Sequence, residues 1–348
     1  MSARLTTLAL AGALVGTGCG REAGPGPLAL DVNDVSFLLP IWAPAALPPL
    51  ADFVTPAQFD QLGFANEFVP PAEALARSRV VAVRVDPCFP AAGGCQLQVR
   101  LVAQPLSAQG AADGAIHLFY QLASDERGRL RDHLAALVDL ADGRTAGVAL
   151  GPHPVLAPAG LATPYGDALR ALLADLCTPD RLTEIAVMNG GEVTWTFFRF
   201  GVAADGAVTP RLTTGGGPGA KAPAQRSVLV RDGLRAPGEL FDAQVPVTTA
   251  ALALARRFED PRATPTPLLD CGSCHAVTPA RIAAELASGL ASEELAFVAP
   301  PGTTATIAHR ATAPGHFRGF GYAEGFTAEI LDRTVFESTL AAADLAQP

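Results

Sequence analysis

Basic charge is scarce in this sequence. Its 348 residues hold 25 Lys and Arg against 34 Asp and Glu, a formal net charge of −9, and only 17% of positions are charged. Nucleic acid is bound through clustered Lys and Arg, so it is excluded as a partner. No block of like charges is long enough to make a tail. Long apolar runs are also missing, although 49% of residues are apolar. None reaches the roughly 20 residues that a bilayer-spanning helix needs. Residues 37–53 are apolar but broken by proline, which implies extended packing strand rather than helix. The signatures G-x-S-x-G, H-E-x-x-H and the EF-hand loop do not occur, and no hydrolase constellation emerges. Methionine occurs only at Met1 and Met188. No repeat of solenoid period is visible.

What is present begins with an export signal. Arg4 supplies a positive n-region, Leu5 to Val15 a short apolar h-region, and Gly16, Thr17 and Gly18 lead to Cys19. This resembles a bacterial lipoprotein signal, which implies lipidation of Cys19 and attachment to a membrane through that lipid. Gly16 stands where that family usually has Leu, so ordinary secretory cleavage stays open. By the same resemblance, Gly20 after the cysteine implies the outer rather than the inner membrane. The expected location is a membrane-anchored one, facing the periplasm or at the outer-membrane surface. An oxidising compartment permits disulfides. Cys88 and Cys95 are close enough in sequence to bridge and clamp a hairpin. Cys177 reads as a small buried hydrophobe.

The length suggests about two domains. Residues 1–18 form the signal and 19–30 a Gly- and Pro-rich tether. Residues 31–245 read as an α+β body with an antiparallel sheet, and 246–348 as a small, mainly helical module. Within the body, 79–86 and 96–102 alternate apolar with polar at period two, and 115–122 looks like a third strand. A helix capped by Ser124 carries Leu130, Leu134, Leu137 and Ala141 and ends at Asp142-Gly143. A second opens at Thr163-Pro164. Asn189-Gly190-Gly191 is a hairpin signal between two further strands. The glycine-rich 213–226 lacks P-loop spacing, because Ala222 follows Lys221. In the module, helices are expected at 249–258, from Thr278-Pro279 with Ile282, Leu286 and Leu290, and at about 326–345.

The informative motif is Cys271-Gly272-Ser273-Cys274-His275, which has the C-x-x-C-H form of a c-type haem attachment site. It resembles the cytochrome c family in the motif itself and in the helices before and after it. The resemblance implies covalent haem c, with thioethers from Cys271 and Cys274 and His275 as the proximal iron ligand. That family usually takes a distal Met from beyond the motif, and this chain has none there. His316, in a glycine-rich loop near aromatics, and His309 are then the candidate distal metal ligands. Bis-histidine ligation lowers the potential relative to Met/His. Asp270 to His275 also resembles the late DCxSCH element of a set of uncharacterised bacterial lipoproteins with an α+β body.

Other readings of the motif remain open. They are a short-loop disulfide, a thioredoxin-like pair, or zinc held by Cys271, Cys274 and two of His275, His309 and His316. The leading expectation is an exported lipoprotein with one covalent haem, exchanging electrons with a partner protein or sensing redox state. The alternative is an envelope binding or structural lipoprotein with Cys271–Cys274 as a disulfide only. A haem peroxidase would need an open distal site. His117 falls on the polar side of its strand and reads as a surface or hydrogen-bonded residue. His133 reads as structural, His153 as a loop residue between prolines, and Trp195, Phe197 and Phe198 as sheet core.

Overall fold

The computed structural model describes residues 27–64, 69–91, 94–112, 114–189, 196–211, 248–264, 271–290, 297–312, 319–323 and 325–348. The proposed signal and Cys19, the turn at 190–191, Trp195 and the loop 213–226 lie outside them.

The chain is α+β. Eight strands form one antiparallel sheet: β1 (Ser36–Leu38), β2 (Ser78–Ala91), β3 (Gly94–Ser107), β4 (Gly110–Ala111), β5 (Ala115–Leu122), β6 (Leu182–Asn189), β7 (Thr196–Val202) and β8 (Val208–Pro210). Their order is β1-β2-β3-β5-β6-β7-β8, with β4 paired to β3. The expected hairpin of 79–86 with 96–102 is the β2–β3 pair, in which Val83 faces Leu101 and Arg84 faces Arg100. Its register sets Cys95 opposite Pro90. The side chains of 87–95, and with them any Cys88–Cys95 bridge, are outside the description.

Short helices α1 (Val32–Val35), α2 (Pro56–Gln61) and α3 (Pro71–Arg77) precede and follow β1. The helix expected after β5 is α4 (Arg127–Ala141), and it buries Leu130, Leu134, Leu137 and Ala141. Asp142 closes it at a φ of 50°, a left-handed cap that aspartate tolerates. Its start differs from expectation. Ser124 opens a 3-10 turn, and the Glu126 carboxylate accepts from the Ala123 N–H instead. After α5 (Leu156–Ala159), α6 (Pro164–Leu176) begins as expected, with Thr163 Oγ1 accepting from Gly166 N. Leu169, Leu172 and Leu176 join α4 and the apolar sheet residues Val83, Leu101, Leu118 and Ile185 in one core.

The C-terminal part contains α7 (Thr249–Glu259), α8 (Cys271–Ser288) and α9 (Asp332–Leu345), with a hairpin of β9 (Phe320–Tyr322) and β10 (Ala328–Ile330). Phe320, Tyr322, Val335 and Leu345 belong to the same core as the sheet. Three expectations are corrected here. The helix expected from Thr278 starts at Cys271, with Pro279 inside it. Leu286, assigned to its apolar face, is 81% exposed. The inward face is mixed instead, with Val277 and Ala284 buried beside Thr278 and Arg281. The helix expected from about 326 is preceded by β10 and starts at Asp332.

Arg281 explains the polar part of that face. Its Nε donates to both oxygens of Glu259, its Nη1 to Glu285 and its Nη2 to Asp332 at 2.7 Å. Asp332 also accepts from Arg310 at 2.7 Å. This cluster ties α7, α8 and α9 together where apolar contacts would otherwise be expected. A buried charge that loses its partner is strongly destabilising. Asp332→Ala is expected to cost about 1.5–3 kcal/mol, by removing one charged hydrogen-bond partner from Arg281, which keeps Glu259 and Glu285. Urea denaturation of both proteins checks this, and a change under about 1 kcal/mol would contradict it.

Candidate functional site

Alternation along the strands gives the sheet two unlike faces. Val83, Leu101, Leu118 and Ile185 point to the apolar core. The opposite face carries Arg84, Arg100, His117, Glu184 and Arg199. Register keeps this set together: Arg100 lies beside Phe119, His117 beside Val102 and Ala186, and Met188 beside Phe197. Such a face on an antiparallel sheet is ordinarily solvated. Here Arg84 and Arg100 are buried, and Gln104 is fully so.

The cover is the C-terminal part. Gln104 Nε2 donates to the Tyr322 carbonyl at 2.9 Å, and its Oε1 accepts from Tyr322 N at 2.8 Å, so one amide acts as a strand edge for β9. A Cβ at Gly321 would meet that Oε1 at 2.7 Å, hence the glycine. Tyr322 O–H donates to the Leu39 carbonyl, and Ser36 and Ser338 share a hydrogen bond of 2.6 Å. Arg84 Nη2 donates to Glu337 at 2.7 Å and Arg333 Nε to the same carboxylate at 2.9 Å.

Between sheet and cover is a partly open cleft of about 100 Å³. Cofactor clefts occupy about 300–1,000 Å³, so a cofactor would have to part the cover from the sheet to enter. Its walls are Arg84, Arg100, His117, Phe119, Met188 and Phe197 from the sheet, and Cys274, His275, Phe320, Thr334 and Glu337 from the cover. The motif occupies the first turn of α8, so Cys274 and His275 follow one another on the inward side. His275 is buried. Its ring centre lies 5.2 Å from that of Phe197 and 5.7 Å from that of His117, the latter at 82°. Gly319 allows this seat, since a Cβ there would stand 3.2 Å from His275 Cε1.

Burial sets the protonation states. Loss of water, reinforced by His275, Arg100 and Arg84, pushes His117 down to about 3, so it is neutral. Burial raises the Cys274 thiol to about 11. Burial also acts to raise the Glu337 pKa, but Arg333, Arg84 and Arg100 outweigh it and hold the carboxylate well below its ordinary range. Arg84 Nε is buried without a hydrogen-bond partner. On the sheet side, Glu184 pairs with both Arg199 and Arg211, and Asp86 with Arg100.

The candidate residues are thus partly assembled. Cys274, a free thiol, and His275 share the cleft. The side chain of Cys271 and all of His316 lie outside the description. His309 is exposed and does not line the cleft; its backbone carbonyl accepts from Ile330 N. Among the described residues, no three His, Cys, Asp or Glu side chains are grouped to hold a metal ion by themselves. Phe197, read as sheet core, packs against that core and also stands against His275, while Phe198 is buried. His117, read as a surface or hydrogen-bonded residue, and Met188 both line the cleft. The available signal was parity, which puts both on the strand side that carries Arg100, Glu184 and Arg199.

His133 pairs with Asp175 at 2.8 Å away from the cleft. Cys177 is buried, as expected. His153 is fully buried, stacked on Phe37, with Nε2 at 3.0 Å from the Asn33 carbonyl and Nδ1 accepting from Val155 N. No family model matches the chain, and neither the curated proteins nor the solved structures contain a match.

Desolvation lowers His153 to about 3. The unfolded state, near 6.5, binds that proton more tightly, so stability is complete above pH 6.5 and falls as pH drops toward 3. Acidification from pH 7 to 5 is expected to remove roughly 2 kcal/mol through this residue. Denaturation curves at the two pH values check it. His153→Gln is expected to flatten the dependence, and an unchanged slope would contradict the assignment.

Proposed function

We propose that this chain is an exported lipoprotein that binds one covalent c-type haem through Cys271, Cys274 and His275, for electron transfer with a partner protein or redox sensing. The observation that carries the reading is the seat of the motif. Its first helical turn directs Cys274 and His275 into a cleft lined by apolar and basic side chains, instead of leaving them at the surface.

The donor chemistry fits. Burial that disfavours a thiolate at Cys274 does not disfavour an uncharged thioether. Phe119, Met188, Phe197 and Phe320 give the apolar surface that a porphyrin face requires. In the described part of the cluster, Arg84, Arg100, Arg199, Arg211 and Arg333 outnumber Asp86, Glu184 and Glu337. That excess favours an acid-bearing group, and haem has carboxylates to offer Arg84, Arg100 and Arg199. When bound, haem supplies one-electron chemistry. The residues of this chain hold it, exclude water and set the local charge. Attachment to a membrane through Cys19 remains part of the proposal and rests on the signal sequence.

The same arginines favour a second reading, an envelope lipoprotein that binds a small anion in this cleft, with Cys271 and Cys274 closed as a disulfide. Expression with the cytochrome maturation machinery separates the two. The haem reading expects a mass increase of one haem and a reduced pyridine spectrum of the c type, both lost in Cys274→Ser. A colourless protein of unmodified mass would refute it and leave the second reading.

A further inference from the structure

We infer that His117 is the second axial ligand, facing His275 across the haem iron from the polar face of the sheet. This rests on the haem reading above and adds to it a ligand from the opposite end of the chain.

Three observations support it. First, His117 is the other imidazole lining the cleft among the described residues, and it stands next to His275. Two imidazoles that ligate one metal from opposite sides, at about 2.0–2.1 Å each, hold their ring centres roughly 6 Å apart. The observed separation is 5.7 Å. Second, the two rings project from rigid and independent supports. His117 is on β5, with β3 and β6 paired on either side. His275 is in the first turn of α8, whose middle is tied by Arg281 to α7 and α9. Third, the side chains flanking His117 across the register are Val102 and Ala186, which carry no competing ligand atom. Met188 also lines the cleft, with Phe197 as its register partner. His309 is exposed outside the cleft.

The test uses the full-length haem-loaded protein, with ferric and ferrous absorption and electron paramagnetic resonance as readouts. Attachment is followed separately by mass and by the pyridine spectrum. Wild type is expected to be low-spin with two nitrogen ligands. His117→Ala is expected to become high-spin and to bind added cyanide at least tenfold faster, with its haem content unchanged. Imidazole added to His117→Gly is expected to restore the low-spin signal. If the small variants lose their haem, His117→Met keeps the volume and is expected to convert the signal to that of His/Met ligation.

His316→Ala is expected to keep the wild-type low-spin signal, and Met188→Leu, which reshapes the apolar wall, to keep the same two-nitrogen ligand set with at most a small band shift. The inference is overturned if haem-loaded His117→Ala or His117→Met keeps the wild-type signal, or if Met188→Leu or His316→Ala abolishes it. A wild type that is five-coordinate or His/Met-ligated also overturns it while leaving attachment standing. A wild type without haem overturns both readings.

Discussion

The Arg84–Glu337 ion pair is the contact on which the arrangement of this molecule depends. It joins the second strand of the sheet to the last helix, at 2.7 Å and with both side chains nearly buried. Arg333 binds the same carboxylate and also donates to the Phe258 carbonyl, so α7 is drawn into the contact. Buried ion pairs add little net stability against well-packed apolar groups, because desolvation offsets the attraction. Their effect here is selective. A sheet face lined with guanidinium groups can be covered only by a segment that brings carboxylates, and α9 brings Glu337. Once that match is made, Gln104 can clasp β9 and Ser36 can meet Ser338.

The cleft follows from that match. Ion pairs and hydrogen bonds have fixed lengths and hold the cover at its margins, through Gln104–Tyr322 on one side and Arg84–Glu337 on another. Apolar layers would close until they touched. A cover fixed at its edges leaves space over the middle strands, where β5 and β6 present His117, Ala186 and Met188. The first turn of α8 fills one side of that space with Cys274 and His275. The fold therefore puts its reactive residues where its polar groups have prevented close packing.

Much of this was legible in the sequence. The strands 79–86, 96–102 and 115–122, the Thr163 cap and the Asp142-Gly143 stop are local signals, set by alternation and by backbone preference. Each stands where the residues indicate. What was not legible shares one cause. Polar parity on a strand, and leucine spacing in 278–290, imply solvent on one side and core on the other only while polar residues face water. Arg84, Arg100 and Arg281 face carboxylates instead, donated by Asp86, Glu337, Glu259 and Asp332. The sequence distance between such partners hides them. The same inversion concealed His117 and Phe197 as cleft residues, whereas Cys274 and His275 were visible because their spacing is itself the signal.

The origin of the two histidines bears on how such a site would be made. Thioether formation needs only the motif and its first helical turn, and these can be presented by an incompletely folded chain. A ligand on β5 is available only after the sheet has formed and the C-terminal part has closed over it. Attachment and ligation would then be separate events, the second governed by Arg84–Glu337 and Gln104–Tyr322. Weakening that closure would leave a haem attached and its second coordination position open. Were haem bound as proposed, two influences on its potential would oppose each other. Imidazole in place of thioether sulfur would lower it, while the surplus of arginine over carboxylate around Glu337 and Glu184 would favour the electron-rich state and raise it.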